Sequence, residues 1–328
     1  MGGNKSWEKI SLNKTSNQVY RKNFSKVLVL RGGVSAEKEV SDSTAASCIE
    51  ALKRTNFDVE AVSINSSNIY ELAEVVKKKK PDVIFNALHG GIGEDGTIQG
   101  LFETLSIPYT HSGVLSSAMA MDKFISKKIF KTSGLPVIED LLLSRKDQLK
   151  GITIAPPYVI KPNNGGSSVG IHFIKRKEEI EEISKFGVHL DESYLLEKYI
   201  PGRELTVAVL NGRPLTVTDI VTDDWYNYDA KYKTGGSKHI IPADVPQEIF
   251  DLCINYAVTA HYSLGCRGVT RSDFRWDEKK GKEGLYILEL NTQPGMTKTS
   301  LVPEQAKHVG LDLKYLCLEL IKDASCNK

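Results

Sequence analysis

Long apolar runs, clustered cysteines and an excess of one charge are all missing from this chain. None of its 328 residues belong to a stretch long and apolar enough to span a bilayer, which excludes a helical membrane protein. The five cysteines, Cys48, Cys253, Cys266, Cys317 and Cys326, are odd in number and never spaced as CxxC. A disulfide framework or cysteine zinc site is therefore not expected, and a reducing cytoplasm is. Lys+Arg 43 against Asp+Glu 41 leaves a net charge of +2, which gives no electrostatic footprint for nucleic acid or a membrane surface. The one basic run, Lys77 to Lys80, precedes Pro81 and reads as a solvated helix end. Internal repeats and low-complexity tracts are missing too. So are the P-loop and the GxGxxG dinucleotide fingerprint, which argues against a nicotinamide dehydrogenase.

At 41% hydrophobic content the chain can bury a sizeable core, and its length suggests two or three domains. Residues 1–25 are polar, carry no apolar signal-peptide core and read as a poorly ordered extension; their MGGNKS start matches the short myristoylation pattern, read as chance. From Lys26 the pattern is regular. VLVL reads as a buried strand, VSDSTAASCIEALKR as an amphipathic helix and FDVEAVSI as the next strand, a βαβ unit. A further helix, the strand PDVIFNAL, the helix TIQGLFETL and a short strand SIPYT complete a parallel α/β domain over residues 26–121. Its Gly-rich loops, Arg31 to Glu39 and His89 to Gly96, leave the C-terminal strand ends, where such sheets bind ligands. A smaller α+β unit follows over 122–200, with the helix DKFISKKIFKTSG, a hairpin, a charged helix KRKEEIEEISKF and the strand YLLEKYI. Residues 201–328 hold a hairpin with an Asn-Gly turn, a loop WYNYDAKYKTGG, a helix, two strands and a final helix.

Three stretches carry chemistry. In YVIKPNNGGSSVGIHFI, two strands flank a tip rich in exposed N–H groups and hydroxyls beside Lys161, which favours an anion such as phosphate; an ordinary hairpin tip is the alternative. Alternation in GVTRSDFRW puts Arg271 and Asp273 on one face, and in GLYILELN it does the same for Glu289 and Asn291. Phe274, Leu288 and Leu290 fall opposite. Paired antiparallel, the two strands make a polar patch of hard oxygen donors suited to Mg²⁺ with substrate phosphates, or else a cross-strand ion pair of Arg271 with Asp273 or Glu289. The following NTQPGMTKTS is too rich in Gly, Pro and hydroxyls to continue the sheet and reads as a ligand loop.

KPNNGGSSVG, EKYIPGRE, DAKYKTGG, RSDF and LELNTQPGMTKTSL, preceded by GGVSAEKEVS, LHGGIGEDGTIQG and MDK, together resemble the D-alanine–D-alanine ligases of the ATP-grasp superfamily over about residues 26 to 322. The resemblance implies a three-domain α/β ATP-grasp fold, with two α+β subdomains clamping ATP, and a homodimer. It implies that ATP phosphorylates one D-alanine and that the amine of a second attacks the acyl phosphate. On the same resemblance Lys123, Lys161, Ser168 and Lys231 reach ATP phosphates, while Glu197 and Glu204 lie near the adenine and ribose. Asp273, Glu289 and Asn291 hold two Mg²⁺ or Mn²⁺ ions. Arg271 and the Gly295 N–H stabilise the oxyanion, His89 lies near the first substrate, and Ser300 and Leu301 line the second site. Glu37, Ser167 and Tyr232 form a bonded set that joins the domains when the glycine flap closes. Read without the resemblance, Glu37 also suits a helix dipole and His89 a buried structural role. Another ATP-grasp ligase and a non-catalytic nucleotide-binding module are the remaining alternatives.

Overall fold

The structure, a computed structural model, describes residues 24–144, 152–166, 170–179, 193–222 and 237–326. The first unit is a parallel sheet of order β2-β1-β3, built from β1 (Lys26–Gly32), β2 (Asp58–Ile64) and β3 (Val83–Asn86). Val27 to Leu30 have no exposed surface, because β1 is the central strand with both faces covered. Helices α1 (Lys38–Leu52), α2 (Ile69–Lys79) and α3 (Thr97–Leu105) connect and flank these strands. The Asn68 side chain caps α2 by accepting from Tyr70 N, and Lys77 to Lys79 occupy its last turn. SIPYT does not make the expected strand. Ser106 turns the chain at φ 54°, Pro108 has no N–H to donate, and Tyr109 makes only isolated bridges to Ile84 and Ser325.

Next come α4 (Val114–Met121) and α5 (Lys123–Thr132), separated at Asp122, whose carboxylate caps α5 by accepting from Ile125 N at 2.9 Å. That cap fixes Lys123 as the first residue of a helix. An antiparallel sheet of order β4-β7-β5-β6 follows, from β4 (Asp140–Leu143), β5 (Tyr158–Pro162), β6 (His172–Ile174) and β7 (Tyr194–Lys198). The hairpin β5–β6 forms as expected. Its tip at 167–169, most of the expected charged helix, and loop 223–236 lie outside the described residues.

The third sheet is antiparallel, of order β10-β9-β8-β11-β12, from β8 (Arg203–Leu210), β9 (Arg213–Val221), β10 (Lys238–Ile240), β11 (Val269–Trp276) and β12 (Leu285–Asn291). Asn211 and Gly212, both at positive φ, make the tight β8–β9 turn. Helix α6 (Gln247–Ser263) packs across this sheet, and the chain ends in two helices rather than one, α7 (Leu301–His308) and α8 (Leu313–Asp323). Leu316, Leu320 and Ile321 of α8 share an apolar core with Val27, Val29 and Cys48 of the first unit. Arg267 ties the same junction by donating to the Tyr109 and Ser325 carbonyls.

Candidate active site

β11 and β12 pair with Arg271 opposite Asn291 and Asp273 opposite Glu289, so all four share one face. A bulge after Asp273 then shifts the register and changes one expectation: Leu288 does not fall with the opposite face but lines a cavity beside Glu289 and Asp273. Leu290 is buried as expected. The ion pair left open by the sequence also forms, along one strand rather than across two. Arg271 donates through Nε and Nη2 to the two Asp273 oxygens at 2.8 and 2.7 Å. Thr206 Oγ1, at 2.7 Å, and Asn291 Nδ2, at 3.1 Å, also donate to Asp273. Among the described residues no group of three His, Cys, Asp or Glu gathers as a metal cluster. Two carboxylates and an amide fit a hard cation that draws its other ligands from phosphate and water.

Two cavities meet at this face. The larger, about 360 Å³, is lined by Glu37, His89, Arg271, Glu289, Asn291, Gly295, Ser300 and Leu301. The smaller, about 80 Å³, is lined by Lys161, Glu197, Glu204, Asp273 and Leu288, and again by Glu289. Lys123 stands in the gap between them, with Nζ 2.5 Å from the Gly165 carbonyl and 3.8 Å from Glu289. Thus every expected site residue in the described segments borders one of two adjoining spaces or, for Lys123, the gap between them. Ser167, Ser168, Lys231 and Tyr232 lie outside those segments.

In the larger cavity, Glu37 occupies the N-cap position of α1, yet its side chain does not cap the helix. It lies against the glycine hairpin instead: a Cβ added at Gly166 would sit 3.2 Å from both Glu37 oxygens. His89 is buried, with Nε2 2.9 Å from Thr44 Oγ1 and Nδ1 3.0 Å from Glu94 Oε1. The NTQPG loop is held to the first unit by Gln293, which accepts from Asn86 Nδ2 at 2.8 Å and donates to the Leu88 carbonyl. Ser300 begins α7 without capping it; its hydroxyl turns back to Thr297 Oγ1 at 2.7 Å, beside Gly295.

The smaller cavity contains a buried charge network. Glu197 takes Lys127 at 2.5 Å on one oxygen and Lys161 at 2.7 Å on the other, and Lys127 also meets Asp140 at 2.7 Å. Burial alone would raise the Glu197 carboxyl, but the two ammonium groups hold it down at about 2. Burial likewise works against the Lys161 ammonium, and Glu197 with Glu289 outweighs it and raises its pKa. Glu204 is met by Arg275 Nη1 at 3.5 Å. Lys127, Arg275 and Gln293 were not singled out from the sequence. Lys127 carried a signal, being four residues after Lys123 and on the same helix face, whereas the partners of Gln293 lie some two hundred residues away.

Models of known families match this chain in two segments: the D-ala D-ala ligase N-terminus over residues 71–112 and the D-ala D-ala ligase C-terminus over 129–322. A D-alanine–D-alanine ligase of Ruegeria sp. (strain TM1040) is 53% identical over 303 residues, covering 92% of this chain and 97% of its own. One from Jannaschia sp. (strain CCS1) is 51% identical over 310 residues, covering 93% and 98%. Among solved structures, the Bacillus anthracis D-alanine–D-alanine ligase complexed with ATP is similar at a TM-score of 0.77 and 30% identity, over 91% of this chain and 97% of that one. The VanG D-Ala:D-Ser ligase of Enterococcus faecalis reaches 0.76 at 28% identity, over 91% and 98%. With the fold, the two adjoining cavities and half-identical relatives in agreement, the chain belongs to the D-alanine–D-alanine ligase family, on the ATP-grasp fold.

Proposed function

We propose that the chain joins two D-alanines into D-alanyl-D-alanine at the expense of ATP, through a D-alanyl phosphate, and so supplies a peptidoglycan precursor in the cytoplasm. The observation that carries this is the position of Glu289, shared by a cavity for the nucleotide and a cavity for the amino acids. A carboxylate is a poor electrophile, and phosphorylation gives it a leaving group. The smaller cavity takes the base between Leu288 and Glu197 and the ribose near Glu204. Lys161, now on Glu197, and Lys123, now on Gly165, swing to the phosphates, joined on the family resemblance by Ser168 and Lys231. Asp273, Glu289 and Asn291 would hold Mg²⁺ or Mn²⁺, which when bound neutralises phosphate charge.

Glu37 binds the ammonium of the first D-alanine, with His89 close by. The carboxylate oxygen of that D-alanine attacks the γ-phosphorus and ADP leaves. The second D-alanine docks against Ser300 and Leu301; its amine attacks the carbonyl carbon, and Arg271 with the Gly295 N–H stabilises the oxyanion. The glycine hairpin closes over the phosphates, and Ser167 and Tyr232 join Glu37 in the closed form. The division into 26–121, 122–200 and 201–328, and a homodimer, are parts of the same proposal. ADP release, measured with mass analysis of products from D-alanine, L-alanine, D-serine and D-lactate, tests it. D-alanyl-D-alanine is expected as the main product; equal ADP release with L-alanine, or a D-serine or D-lactate product in excess, would overturn it.

A further inference from the structure

Two imidazoles line the larger cavity, and each is bonded at both nitrogens. His89 is 4% exposed and enclosed between Thr44 and Glu94, on the side of the first substrate. His239, on β10, stands on the other wall with its side chain 15% exposed. Its Nδ1 is 2.5 Å from Glu304 Oε2, and its Nε2 is 3.1 Å from Ser237 Oγ. A carboxylate can only accept, so Glu304 fixes the proton on Nδ1 and leaves the Nε2 lone pair toward the serine hydroxyl. Glu304 lies one helical turn after Ser300, on the same face of α7, which anchors the imidazole beside the proposed acceptor position.

Resting on the ligase reading above, we propose that His239, oriented by Glu304, takes the proton that the ammonium of the second D-alanine must lose before attack. An α-amino acid docks as an ammonium, which has no lone pair. The ammonium takes the place of the Ser237 hydroxyl at Nε2 and gives that nitrogen a proton, and the imidazolium is held against Glu304. The freed lone pair forms the C–N bond, the carbon–oxygen bond to phosphate breaks, and the departing phosphate takes the second N–H proton. Of the other titratable groups around the cavity, Glu39 is exposed in the first turn of α1, and the rest are committed elsewhere. Glu94 is bonded to His89, Glu37 lies against the glycine hairpin, Arg271 is held by Asp273, and Glu289 belongs to the phosphate side. An imidazole is also the side chain best matched to proton transfer near neutral pH.

The test separates acyl-phosphate formation from amine attack, because hydroxylamine is neutral near pH 7 and intercepts D-alanyl phosphate without needing a base. In full-length protein with ATP, Mg²⁺ and saturating D-alanine, His239→Gln should lower the dipeptide kcat at pH 7 by about 100-fold. D-alanine hydroxamate formation should stay within about twofold, and the dipeptide deficit should shrink to under about tenfold by pH 9.5, where free amine is abundant. Glu304→Gln should act in the same direction by about tenfold. Equal loss of hydroxamate and dipeptide, an unchanged dipeptide rate, or a raised acceptor KM with unchanged kcat would overturn the assignment. If the unmodified protein gives neither product, the ligase reading fails and this proposal with it.

Discussion

The parallel and antiparallel sheets that frame the cavities contribute in opposite ways. The parallel sheet packs an apolar core on each face, its edge strand β2 apart, and offers the cavity its strand ends, from which the loops bearing Glu37 and His89 emerge. The large antiparallel sheet is covered by α6 on one side and, over β8 and β9, by α7 on the other, but leaves the stretch of β11 and β12 that carries Asp273 and Glu289 facing the cavities. A sheet with helices on both sides has no surface to spare for charge, so its chemistry must sit on loops. One whose second face is only partly covered can hold charges on its strands. Phosphoryl transfer, the step most sensitive to position, is proposed on the rigid face, and substrate entry beside the loops.

Breaking the rigid face should have the largest effect. Asp273→Asn or Glu289→Gln should lower ADP release by at least about 10³-fold while the melting temperature stays within about 5 °C, because the amide keeps the shape and loses the charge. Near-normal turnover in either would remove the metal role. The nucleotide side can be weakened separately. Lys127 is 2% exposed and serves both Glu197 and Asp140, so Lys127→Met leaves the buried Glu197 carboxylate short of a partner at about 3–5 kcal/mol. A lower melting temperature and an ATP KM raised about tenfold, with the D-alanine KM unchanged, are expected. A change confined to D-alanine would show that the two cavities are not independent.

The smallest effect concerns the first unit and its junction. Burial, with Arg267 and His89 adding to it, pushes His111 down to about 3, and burial pushes His261 down to about 4. Both are neutral when folded and take up a proton when unfolded. Their stabilisation is therefore complete above about pH 6.5 and is lost progressively as pH falls toward 4 and 3. Between pH 6.5 and 5, above the range where carboxylates titrate, the melting temperature should decline, and His111→Asn, tolerated at φ 69°, should flatten that decline. An identical pH slope in the variant would exclude His111 as its source.

Much of this was legible because it is periodic or local. Alternation in RSDF and LELN placed Arg271, Asp273, Glu289 and Asn291 on one face, and glycine-rich punctuation marked the loops. What was not legible depends on distant segments meeting. The bulge that turns Leu288 toward the smaller cavity leaves no trace in a period-two pattern. His239 and Glu304 are 65 residues apart, and neither suggests the other. Lys161 read as a phosphate ligand, but its resting partner Glu197 sits on a neighbouring strand and emerges only from the sheet order β7-β5. SIPYT had strand composition, and the failure to extend it came from Pro108 and the Ser106 turn.

The return of α8 to the first sheet has a consequence for how the molecule is made. Val27 and Val29 leave the ribosome early, but the Leu320 and Ile321 side chains that close over their core follow about 300 residues later, roughly 15–60 s at ordinary elongation rates. Until then one side of the opening βαβ unit has only a partial cover. The nascent chain must carry that apolar surface through most of its synthesis, which makes the last helix, and not the first, the step that commits the N-terminal unit to its finished form.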